Sequence, residues 1–180
     1  MFRAMKSRLP DFNEILPVYA VLVFFLFGWA TIDFFWKLPA WLFYLNLGEV
    51  GVIYSYGAVT EFIESLIYLC ILLVLAAILP AQIMKNKFQI RGTIAALFIL
   101  GIIELTSYFI AFRDIKPAVS ALVALLICGL LGTALLWLSS KYVFIEQVIR
   151  QTVDRMVIFL YVYLPMAGIA IIVVLIRNAG

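Results

Sequence analysis

Stretches 17–36, 56–79, 92–112, 117–138 and 156–176 are dominated by Leu, Ile, Val, Phe and Ala, with no period-two alternation. About twenty residues at ~1.5 Å each cover the ~30 Å hydrocarbon core of a bilayer. A backbone in lipid can satisfy its polar groups only internally, so stretches of this kind must cross as helices. The balance of the 180 residues agrees, with 67% hydrophobic and 13% charged, against ~45–50% apolar in soluble domains. A soluble globule is excluded. The expected fold class is an all-α integral membrane protein, a five-transmembrane-helix bundle in one polytopic domain over 1–180.

Arg3, Lys6 and Arg8 before the first stretch resemble the start of a signal peptide. The apolar run is too long for a signal h-region and has no small-residue cleavage site, so it is expected to stay as an uncleaved span, with Pro17 in its first turn. Only 38–79 is ambiguous between one span and two. With one span, nine basic residues fall on the N-terminal side: Arg3, Lys6, Arg8, Lys85, Lys87, Arg91, Lys141, Arg150 and Arg155. Four fall opposite: Lys37, Arg113, Lys116 and Arg177. Splitting 38–79 leaves six against seven and erases the bias. The positive-inside rule therefore predicts five helices, a cytoplasmic N-terminus and an external C-terminus.

Two shorter segments flank the spans. Pro39, Trp41, Tyr44 and Gly48 predict a short interfacial helix over 39–47, with Pro39 at its start, Gly48 as its stop and aromatic rings at headgroup level. Over 141–155, Tyr142, Ile145, Ile149 and Val153 recur at helical spacing opposite Gln147, Arg150, Gln151 and Asp154. With Glu146 and Arg150 as an i, i+4 pair, this predicts an amphipathic cytoplasmic helix or a helical extension of a neighbouring span.

Helix packing is most legible in the fourth stretch, where Ser120, Ala124, Cys128 and Gly132 recur every four residues. Small residues let helix backbones approach closely, and lipid supplies no hydrophobic drive to do it otherwise. The partner is a span of this chain or of another subunit. Pro165, with Gly168 nearby, predicts a kink in the last stretch.

The costly groups are acids. A carboxylate at mid-membrane costs ~2.5–3.5 kcal/mol, so it seeks a partner or a polar interior. Asp33, Glu61, Glu64 and Glu104 are all expected in the outer half, with Glu61 and Glu64 in the first outer turns of the second helix. Glu61, Glu64 and Tyr68 share one helical stripe, and Gly101, Glu104, Ser107 and Tyr108 another. These two stripes could meet. Lys37, Arg113 and Lys116, with Asp114, stand at the same boundary, and the basic side chains are long enough to reach inward. The constellation is either a structural network that fixes the bundle or a cation or proton site open to the outside, with Glu104 its deepest titrating group.

The chain has no His, and its two cysteines, Cys70 and Cys128, are far apart in apolar runs. His-ligated haem, most zinc sites and CxxC redox chemistry are therefore excluded, and no cofactor or metal is expected. Net charge +3 follows from membrane topology, so nucleic acid is not an expected partner. Lipid is, and other membrane subunits or further copies of the chain are possible partners. The expected role is a non-enzymatic subunit or assembly and scaffold component of a membrane complex. The alternative is a small transporter or channel with an outer-half acidic site. A bacterial cytoplasmic membrane is the expected location.

Overall fold

In a computed structural model the described residues are 10–79, 87–113 and 115–179, with the side chains of Ala111 and Phe112 left out. Arg3, Lys6, Arg8 and Lys85, used in the charge pattern, and Asp114, named beside Arg113 and Lys116, lie outside the described residues. The described residues form five helices: α1 (Phe12–Trp41), α2 (Leu47–Ile78), α3 (Phe88–Arg113), α4 (Pro117–Lys141) and α5 (Val143–Ala179). All five are long and apolar enough to cross a membrane, which makes this a multi-pass helical membrane protein. The 38–79 region holds a single long helix, as the charge balance predicts.

The separate helix expected over 39–47 does not form. Pro39 instead lies in the last turn of α1, which runs to Trp41, and 42–45 make a tight turn. The Leu45 amide donates to the Trp41 carbonyl at 2.8 Å, satisfying a helix-end acceptor. Asn46 then opens α2 with a reciprocal cap. The Glu49 amide donates to Asn46 Oδ1 at 2.9 Å, and the Asn46 amide donates to Glu49 Oε2 at 2.9 Å. Gly48 is thereby in the first turn of α2 instead of stopping a helix. Since α2 starts at Leu47, Glu61 and Glu64 flank its midpoint and do not lie in its first turns as expected.

Over 141–155 the structure takes the second of the two expected forms, a helical extension of a neighbouring span. A single extended residue, Tyr142 (φ −117°, ψ 109°), separates α4 from α5, and α5 then runs unbroken through Pro165. Its 37 residues span ~55 Å, so about 25 Å of it lies beyond the hydrocarbon thickness.

The chain divides into two compact units, one taking residues up to Val18 with Ile71–Arg155, the other Tyr19–Cys70 with Met156 onward. In the first, α3 packs on α4, with Phe88, Ile94, Ala96, Ala124 and Cys128 buried. In the second, rings interlock: Phe24 with Phe159 at 4.7 Å, Phe27 with Tyr163 at 4.8 Å, Phe34 with Tyr54 at 4.7 Å. All are edge-on, which adds ~0.5–1.5 kcal/mol per pair beyond burial. Leu160, Tyr163, Ala167 and Ala170 form the buried stripe of α5 at alternating three- and four-residue spacing, and Ala58 of α2 is buried too. Small residues here serve the close approach that lipid does not drive.

Candidate functional site

The acids expected in the outer half are divided between the two units, Asp33, Glu61 and Glu64 in one and Glu104 in the other. Asp33 is exposed and pairs with Lys37 one turn later on α1, Nζ to Oδ2 at 2.6 Å. An exposed i, i+4 pair of this kind contributes ~0.3–0.5 kcal/mol. Asp33 and Glu61 nevertheless line the same cavity of about 210 Å³, walled by Phe34, Trp41 and Tyr54. The Thr31 hydroxyl at this cavity is buried without a hydrogen-bond partner among the described residues. Nearby polar contacts are spent on packing, with Tyr19 Oη 3.2 Å from Ser65 Oγ and Tyr56 Oη donating to Asn178 Oδ1 at 2.8 Å. The Tyr163 hydroxyl is buried beside Ser65 without reaching hydrogen-bond geometry. Glu64 and Tyr68 follow on α2, both half-buried, and Glu64 has no hydrogen bond or ion pair among the described residues.

Glu104, Tyr108 and Arg113 belong to the other unit. Tyr108 and Arg113 are exposed, while Glu104 is half-buried and also has no hydrogen bond or ion pair among the described residues. The α3 stripe that carries Glu104 turns its Gly101 toward α4, where a Cβ would stand 3.0 Å from Cys128 Sγ. Ser120, Ala124 and Cys128 are buried, and Gly132 faces Phe98, with the ring 3.5 Å from a Cβ placed there. The small-residue stripe of α4 thus meets α3 of the same chain.

A polar clamp unforeseen in the sequence ties α5 to α3. Gln89 is buried, its Nε2 donating to Asp154 Oδ1 at 2.5 Å while its Oε1 accepts from Arg150 Nε at 3.0 Å. Arg150 and Asp154 are one turn apart on α5, so a single amide reads both. Glu146 therefore has a different partner from the Arg150 expected for it. It pairs with Lys87 at 2.6 Å. Gln89 is flagged in the sequence only by being polar at the edge of an apolar run, which does not reveal a partner 65 residues away.

Beside this clamp α3, α4 and the start of α5 enclose a half-open cavity of about 660 Å³. Lys87, Arg91, Ser139, Ser140 and Glu146 line one end. Ile90, Ile94, Phe98 and Leu136 line the rest, over a floor left open by Gly129 and Gly132. No three His, Cys, Asp or Glu residues gather as a metal site among the described residues. The chain matches no family model, no curated protein and no solved structure.

Proposed function

We propose that the chain is a non-enzymatic subunit or assembly component of a membrane complex, with its N-terminus cytoplasmic and its C-terminus external. One observation carries this: Glu64 and Glu104, both half-buried within spanning helices, have no partner among the described residues. At ~2.5–3.5 kcal/mol for a mid-membrane acid, two such groups are expensive to leave against lipid. A polar or cationic group on a second membrane-spanning chain removes that cost. The exposed apolar faces of α2 and α4 suit lipid and further helices alike. A bacterial cytoplasmic membrane is the setting we infer for a polytopic chain with this charge asymmetry.

The test is the native mass of the gently solubilised protein from its own membrane, with every co-purifying chain identified. Stoichiometric partners are expected, lost in Glu104→Lys and weakened in Glu104→Gln. A lone monomer with the same yield in all three forms would overturn the proposal. It would favour the second reading, a small transporter or channel, for which the supporting observation is the cavity shared by Asp33, Glu61 and the unsatisfied Thr31 hydroxyl. Ion flux compared between the parent and Glu61→Gln is the measurement that follows.

A further inference from the structure

We propose that the cavity between α3, α4 and the start of α5 is a binding site for one phosphatidylethanolamine molecule, its zwitterionic head at the Lys87–Glu146 pair and one acyl chain along the groove. Register sets which end is polar. A Cβ on Gly101 would stand 3.0 Å from Cys128 Sγ and one on Gly132 3.5 Å from the Phe98 ring, so α3 and α4 run antiparallel. Continued toward the start of α3, that register sets Ile94 opposite Leu136 and Ile90 opposite Ser140. Lys87 is then at the serine end, with Glu146 from the first turn of α5.

This mouth is charge-matched. Lys87 pairs with Glu146 at 2.6 Å, and Arg91, which also lines the cavity, has a partner of its own. A headgroup with net charge therefore finds no unpaired ion here. What the mouth offers is hydrogen-bonding positions, chiefly acceptors. The Ser139 hydroxyl donates to the Leu136 carbonyl at 3.0 Å and the Ser140 hydroxyl to the Trp137 carbonyl at 2.7 Å. Both protons are spent within α4, so the two oxygens present lone pairs. Glu146 takes Lys87 on Oε2, and its Oε1 has no partner among the described residues. The Lys87 ammonium keeps N–H donors beyond the one given to Glu146. Such a set fits a primary ammonium joined to a phosphate, the ammonium donating to Glu146 and the serine oxygens and the phosphate accepting from Lys87. The zwitterion adds no net charge, so it extends the existing pair into an alternating array without breaking it. The helix ends act in the same sense, because the last carbonyls of α4 favour a cation and the first amides of α3 an anion. Phosphatidylcholine carries the same charges, but its methylated ammonium has no N–H to donate.

The groove beyond the mouth has the length and chemistry of an acyl chain. From Lys87 to Phe98 α3 advances eleven residues, about 16 Å, close to the ~15 Å depth of one leaflet. Ile90, Ile94, Phe98 and Leu136 line it, and the cavity of about 660 Å³ lies inside the ~300–1,000 Å³ of typical small-ligand sites.

The purified protein, equilibrated in mixed micelles with equal phosphatidylethanolamine, phosphatidylcholine and phosphatidylglycerol, would be examined by native mass spectrometry for retained lipid. One phosphatidylethanolamine per chain is expected, preferred over phosphatidylcholine roughly tenfold, the effect of hydrogen bonds to a charged acceptor. Stepwise N-methylation of the head should lower retention as each N–H is removed. Glu146→Gln should lose this preference and retain phosphatidylglycerol instead, because Lys87 is then an unpaired cation. Lys141→Gln is the control. Lys141 lies 4.8 Å over the Trp137 ring, does not line the cavity and should leave the preference unchanged. Gly132→Leu should remove retention of all three lipids by filling the floor against Phe98, and Glu146→Gln decides the matter should that variant fail to fold. Equal retention of phosphatidylethanolamine and phosphatidylcholine by the parent, a parent preference for phosphatidylglycerol, or an unchanged preference in Glu146→Gln would overturn the proposal. So would undiminished retention by folded Gly132→Leu protein, or full competition by phosphoethanolamine at equal concentration, which has the head and no chain.

Discussion

Replacing Gln89 by Leu removes both ends of the clamp at once while nearly preserving volume. A hydrogen bond to a charged group contributes ~1.5–3 kcal/mol, so two would total ~3–6 kcal/mol if both partners were then stranded. They are not stranded. Arg150 and Asp154 are exposed and rehydrate, and Leu leaves no orphaned polar atom at the buried position. The expected loss is therefore ~1.5–3 kcal/mol. Asp154→Ala acts differently, because it strands the buried Gln89 amide donor at ~1–3 kcal/mol. In the double variant that penalty disappears, so the two losses should fall short of additivity by ~1 kcal/mol or more. The assay is unfolding in mixed micelles with increasing SDS, followed by tryptophan fluorescence, on the parent, both single variants and the double. Amide exchange over 150–155 should accelerate in parallel, since the clamp anchors those turns to α3 while the Lys87–Glu146 pair still holds the start of α5. Additivity within ~0.5 kcal/mol would refute the clamp as an energetic unit.

Gly101→Ala sets a methyl group 3.0 Å from Cys128 Sγ and should destabilise by ~1–3 kcal/mol in the same assay, with Cys128→Ala restoring most of it. Failure of that rescue would mean that the α4 stripe packs elsewhere. For orientation, thiol labelling of intact cells carrying a single cysteine should find Ser7→Cys protected and Ala179→Cys reactive, and the reverse pattern would invert the proposed topology.

The spans were legible because their signal is local. Apolar runs fix helices in lipid without reference to tertiary partners, and the basic residues of short loops settle how many spans there are. The boundaries were less legible, for a physical reason specific to each. Pro39 reads locally as a first helical residue, yet it stands in the last turn of α1, and the Asn46 to Glu49 cap is the stronger start signal. At 141–155 the apolar spacing is that of a helix, but periodicity does not report whether a helix stops, and α5 continues without a break into the last span.

Polar side chains were the least legible because a local pattern names their neighbours on one helix and never the partner across. Glu146 and Arg150 have the spacing of an intrahelical pair, yet each is drawn to α3, Glu146 to Lys87 and Arg150 to Gln89. Asp33 is the opposite case, held by the residue four positions on, and Glu49 is held within its own cap. These four groups thus have structural work that can be named. Glu61 lines a cavity with Asp33, while Glu64 and Glu104 are left with costs of desolvation and no compensating contact among the described residues. No contact among the described residues accounts for either of these two carboxylates, which locates the search for a partner on α2 and α3. If each is neutralised by a second chain, Glu64→Gln and Glu104→Gln should both loosen the complex while leaving the stability of the isolated chain unchanged or higher, since each removes a charge exposed to lipid.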